Sequence, residues 1–88
     1  MESKKITQHE LDKMLSDYYE GVTQSLDLST LNLSNLSFRN ADLRGIRIMG
    51  ANLSGSDFTN AKLEGSNLWG AQVSGAIFKG TIFANRKT

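Results

Sequence analysis

Twelve consecutive five-residue blocks predict a four-sided solenoid of about three coils, closed at its start by a single helix. Three observations carry that expectation. Every block has an apolar residue at its third place, nearly every block ends in Gly or Asn, and charges twenty residues apart are of opposite sign.

From Leu26 the blocks read LDLST, LNLSN, LSFRN, ADLRG, IRIMG, ANLSG, SDFTN, AKLEG, SNLWG, AQVSG, AIFKG and TIFAN. The third residues run Leu28, Leu33, Phe38, Leu43, Ile48, Leu53, Phe58, Leu63, Leu68, Val73, Phe78, Phe83. A period of five matches neither the 3.6 of a helix nor the 2.0 of a flat strand. The fifth column holds seven of the eight glycines, with Asn35, Asn40, Asn60 and Asn85 in four other places and Thr30 in the last. Gly and Asn tolerate positive φ, so each block ends in a corner.

The number of corners per coil follows from charge. Residues stacked between coils lie ~4.8 Å apart, where like charges repel. Four sides put Asp27 with Arg47, Asp42 with Lys62 and Arg44 with Glu64, and they align Phe38, Phe58 and Phe78. Three sides would put Asp27 with Asp42, Asp42 with Asp57 and Arg47 with Lys62. Four sides is the register without repulsion.

Ahead of the blocks, Thr7 and Glu10 form a T-x-x-E capping box, with Ile6 and Leu11 placed as a hydrophobic staple. Leu11, Met14, Leu15, Tyr18 and Val22 then follow helical spacing, and Gly21 is a C-cap residue. A helix over roughly residues 8 to 20 is expected to cap the first coil with Leu11, Met14, Leu15 and Tyr18. The organisation is therefore an N-terminal capping helix and linker over 1–25, repeats over 26–85 and a tail at 86–88.

The blocks resemble the pentapeptide-repeat family, whose consensus is A(D/N)LXX; ADLRG, ANLSG, AKLEG and SDFTN are close to it. ITQHELDKML is similar to the helical lead-in found ahead of such repeats in many bacterial proteins. The resemblance implies an all-β solenoid, a right-handed quadrilateral β-helix with the central Leu or Phe and the preceding small residue facing inward. Leu26, Leu31, Leu36 and Ile46 depart from that small residue and imply a wider first coil.

Composition narrows the chemistry. The 88 residues contain no cysteine and no proline, carry a net charge of +1, and hold no apolar run long enough to span a membrane. A soluble cytoplasmic protein with no cofactor is the expectation. Neither catalytic nor metal-ligating residues are predicted. His9 stands alone in the first helical turn, and Asp42, Asp57 and Glu64 occupy outward places, two of them opposite a basic residue. The recurring G-x-x-x-x-G has Lys79 before Gly80 rather than after it, so it is a by-product of the period and not a phosphate loop.

Two surfaces stand out. Met49 and Trp69 share an outward column with Arg47 beside them, the composition of a protein-binding hot spot, unless the helix or its linker covers that face. Ile77 and Ile82 take outward places that are polar in most earlier blocks, and only Ala84 to Thr88 follow Phe83. That apolar end, with Phe78 and Phe83, is expected to form a homodimer interface, a frayed monomeric end being the alternative. The function expected is a non-catalytic protein-interaction scaffold with an unidentified protein partner. The family resemblance offers as alternative a DNA mimic that inhibits or protects a type II topoisomerase such as gyrase. Seven Lys and Arg against four Asp and Glu over residues 26–88 run against the acidic rod that mimicry requires. Nucleic-acid binding by Arg39, Arg44 and Arg47 is disfavoured because Asp27 and Glu64 are placed to neutralise two of them.

Overall fold

The computed structural model describes residues 4–83. Residues 1–3 of the N-terminal segment, Ala84 and Asn85 of the last block, and the tail at 86–88 lie outside the described residues.

Helix α1 spans Gln8–Tyr19. Thr7 is its N-cap: the Thr7 hydroxyl accepts from Glu10 N–H at 3.1 Å, and Thr7 N–H donates to Glu10 Oε1 at 2.8 Å. Leu11 and Leu15 are buried, and Met14 and Tyr18 pack half-buried against the same apolar cluster. The stripe stops short of Val22, which the spacing had included. Gly21 takes a φ of 80°, Val22 N–H turns back to Asp17 C=O, and Val22 is left 72% exposed.

Every described fifth-position residue, from Thr30 to Gly80, has a φ between 58° and 75°. These corners lay the chain down in courses of twenty residues, 26–45, 46–65 and 66 onward, with parallel bridges joining residues twenty apart. Asp27 is bridged to Arg47, Asn32 to Asn52, Ser37 to Asp57 and Asp42 to Lys62, and the same second-position columns continue to Asn67, Gln72, Ile77 and Ile82. Asn52 shows the bonding: its N–H donates to Leu31 C=O at 2.9 Å, and its C=O accepts from Leu33 N–H at 2.8 Å. The fifth residue adds a second link, as in Thr30 N–H to Met49 C=O at 2.9 Å.

The all-β expectation is nevertheless overturned. Among the described residues there is one helix and no β-strand or sheet, so the predicted all-β solenoid, a right-handed quadrilateral β-helix, is not what forms. The reason is the block length. Two residues of each five are spent in the turn and only the second is bridged, so no two consecutive residues on a side pair with the neighbouring course. The bridges stay isolated, in a chain that is otherwise turns and coil.

The third-position side chains fill the interior. Leu28, Leu33, Phe38, Leu43, Ile48, Leu53, Phe58 and Leu63 are all at most 1% exposed. Phe38 stacks on Phe58 at 4.5 Å between centroids, and Phe58 on Phe78 at 5.2 Å, both pairs nearly parallel. Each buried ring contributes ~1.5–3 kcal/mol through area, with the stacking an addition of ~0.5–1.5 kcal/mol per pair.

Most corners are closed by the first residue of the next block. Its N–H donates to the third residue of the preceding block, as in Ala61 to Phe58 and Ala71 to Leu68, both at 2.9 Å, and in the larger Ile46 to Leu43 at 3.2 Å. At Leu36 the corner is open. The buried Ser56 one course on fills it, donating its hydroxyl to Leu33 C=O at 2.6 Å and accepting from Leu36 N–H at 3.2 Å.

Thr30 is the costly corner. A β-branched residue at a φ of 63° meets the steric penalty that Gly escapes and Asn reduces. Thr30→Asn, the residue used at the corners of Asn35, Asn40 and Asn60, is therefore expected to stabilise the protein by about 1 kcal/mol. A thermal melt checks this, the expected rise in Tm being about 4–8 °C.

Candidate functional site

The N–H and C=O groups that bond one course to the next lack that partner where no neighbouring course exists, at the two ends. The ends are treated differently, and that contrast locates the candidate site.

At the N-terminal end three of the four sides are closed by groups that imitate a missing course. Lys5 is bridged to Asn32, and Ile6 N–H donates to Asn32 C=O at 2.9 Å. On the next side the Gln8 amide replaces a peptide group: its Oε1 accepts from Ser37 N–H at 2.7 Å and its Nε2 donates to Ser37 C=O at 3.0 Å. On the side after that, the Tyr19 hydroxyl donates to Asp42 C=O at 2.7 Å and accepts from Asp42 N–H at 3.0 Å. Partial burial raises the Tyr19 phenol above its ordinary value, which keeps the proton it donates. Between α1 and the first course lies a cleft of about 500 Å³, whose polar lining includes Gln8, Tyr19 and Arg39. The first two serve the cap and Arg39 is paired with Asp57.

At the C-terminal end no such closure is found among the described residues. Among the described residues, the N–H groups of Leu68, Gly70, Val73, Gly75, Phe78 and Gly80 have no partner. The apolar residues there are uncovered: Val73 is 43% exposed, Ile77 48%, Ile82 46% and Phe83 50%, while Phe78 is half-buried under the Phe58 stack. Trp69, on the first side of this last course, is 77% exposed, so neither α1 nor the linker covers it. One course below, Met49 is half-buried and Arg47 exposed. The two surfaces singled out in the sequence thus both include exposed residues of the last course, Trp69 in one and Ile77 and Ile82 in the other. The unpaired backbone donors, which sequence reasoning missed, belong to the same course.

Charges line the outer walls. Arg39 reaches across courses to Asp57 at 2.9 Å, whereas Arg44 grips Asp42 of its own block through two contacts of 2.8 and 2.7 Å. Glu64, opposite Arg44 in the twenty-residue register, is left with a buried Oε1 that has no partner among the described residues. Bonds from the Thr59 hydroxyl and amide, then from Arg39, bring the Asp57 carboxyl from its ordinary 3.8 to about 2. The Asp42 carboxyl is lowered chiefly by Arg44, and that of Asp27 by the Ser29 hydroxyl and amide with a smaller share from Arg47. No three His, Cys, Asp or Glu side chains among the described residues are grouped to hold a metal ion. No helix among them is long and apolar enough to cross a membrane.

Two functional expectations are corrected here. The protein-interaction scaffold, and the DNA-mimic inhibitor or protector of a topoisomerase, both rested on a β-helical shape. With no strand or sheet among the described residues, neither role stands. Against family models, residues 26–55 and 44–80 match Pentapeptide repeats, in eight copies. Comparison with curated proteins finds no match.

Two measurements bear on these groups. Tyr19→Phe strips both Asp42 backbone groups of their partner, and a loss of about 1 kcal/mol is expected from the denaturant midpoint at unchanged slope. A carboxyl whose folded pKa is depressed stabilises the fold above its unfolded value, and that contribution is lost as pH falls through the folded value. For Asp57 the window runs from 3.8 down to about 2. An acid titration followed by circular dichroism is expected to show stability falling across that window, with a shallower fall in Asp57→Asn.

Proposed function

This chain belongs to the pentapeptide-repeat family, whose members are generally non-catalytic, and we propose that it acts by association, joining two copies of itself through the open C-terminal end. The observation that carries this is the coincidence, on one end only, of exposed Val73, Ile77, Ile82 and Phe83 with six unpartnered backbone donors. Desolvated donors without acceptors cost ~1–3 kcal/mol each, and exposed apolar side chains gain ~25 cal/mol per Å² on burial. A facing copy would cover the apolar area and offer the carbonyls of Ala71 and Ala76, which accept no bond among the described residues. The capped end favours a closed pair, because α1 occupies the surface that a head-to-tail contact would need. Trp69 on the rim, with Met49 and Arg47 one course below, is assigned to the flank of the same contact.

Light scattering tests the proposal. The wild-type chain is expected to have twice the mass of a single copy, and Ile77→Asp/Ile82→Asp the mass of one. Trp69 is the only tryptophan, so its emission is expected to shift to shorter wavelength as concentration carries the protein from one copy to two. A wild-type mass of one copy at high micromolar concentration would overturn the pairing.

A further inference from the structure

The N-terminal end is closed on three sides by Lys5–Ile6, Gln8 and Tyr19, and no described residue bonds the fourth side. That side begins at Leu26. Its bridging residue is Asp27, whose N–H and C=O have no partner among the described residues. Directly against it lies a cleft of about 280 Å³, whose lining includes Tyr18, Leu26, Asp27, Ile46 and Arg47.

We propose that this cleft takes an extended peptide segment, a basic residue followed by an apolar one, which adds the missing fourth side. The bonding between courses specifies the occupant. The residue before the basic one presents its C=O to Asp27 N–H, as Leu31 does for Asn52. The apolar residue donates its N–H to Asp27 C=O, as Ile6 does for Asn32. The basic side chain then stacks beneath Asp27 at ~4.8 Å, mirroring Arg47, which is bridged to Asp27 from the other side. The apolar side chain turns in toward the apolar lining residues Leu26, Ile46 and Tyr18. The chain's own Lys5–Ile6 has this pattern on the adjoining side, bridged to Asn32. Charge favours a cation over an anion here: the Ser29 contacts hold the Asp27 carboxyl ionised, and Asp27 lies nearer the added segment than Arg47 does.

The test is fluorescence anisotropy with the labelled hexapeptide Ser-Lys-Lys-Ile-Thr-Gln and the full-length chain. Saturable binding is expected, weakened about tenfold or more when the isoleucine amide is N-methylated, because that change removes the donor to Asp27 C=O and leaves the protein untouched. Asp27→Asn keeps an acceptor for Ser29 N–H and is expected to weaken binding several-fold. Asp27→Lys is expected to lose the basic peptide and gain the version with glutamate in place of the second lysine. No saturable binding at millimolar peptide, equal binding of the N-methylated peptide, or indifference to both Asp27 variants would each overturn the proposal. Because the site is at the end opposite the proposed copy-to-copy contact, these outcomes are independent of the scattering result.

Discussion

A left-handed residue at every fifth position is the constraint from which the rest of the structure follows. It sends the chain round a corner before a second consecutive residue can pair with the neighbouring course, so backbone cohesion between courses passes through isolated bridged residues such as Asn52 and Asp57 and the single bond of each fifth residue. Isolated bridges of this kind are weak alone. They persist because each is flanked by a third-position side chain whose burial depends on the course above and the course below. Phe58, between Phe38 and Phe78, is wholly buried, while Val73 and Phe83, in the last course, are half in water. Stability in such an arrangement is a sum over neighbours, and a course with one neighbour gains only part of it.

The ends therefore decide how the molecule behaves. The first course is completed by Gln8 and Tyr19, which supply donor and acceptor together as a peptide group does, and by Leu11 and Leu15, which cover the apolar face. Neither contribution would suffice alone. An apolar lid without the amide and hydroxyl would strand the Ser37 and Asp42 backbone groups, and polar caps without the lid would leave Leu28 and Leu33 in water. Among the described residues the last course has neither.

Much of this was legible in the sequence, because side-chain columns at a fixed offset leave an imprint in charge and size. The partners Asp27 with Arg47 and Asp42 with Lys62 could be paired by sign alone, and the phenylalanine column by identity. The capping box could be read because both of its members lie within four residues. What periodicity does not contain is the number of consecutive residues that pair. The same inward pattern serves a strand or an isolated bridge, and the all-β expectation failed there. The roles of Gln8 and Tyr19 were hidden because they arise where side chains meet a backbone 29 and 23 residues away. Arg44 had two carboxylates within reach by sign; proximity within its own block assigns its hydrogen bonds to Asp42 and leaves Glu64 Oε1 without one among the described residues. The buried Ser56 had a signal in principle, a small polar residue one course after the oversized Leu36, which only the open corner explains.

The difference between the ends also limits what association can build. A chain of stacked courses bare at both ends would offer each copy a surface complementary to the next, and head-to-tail contacts of that kind continue without closing. Here one end already has its apolar face covered and three of its four bridging residues bonded. In the proposed pairing like ends meet, and a contact between like ends uses up the surface on both partners at once. The helix at the start of the chain thus does more than stabilise the first course. It spends most of the N-terminal surface within the molecule, which disfavours head-to-tail extension, and among the described residues it leaves uncovered at that end the side at Asp27.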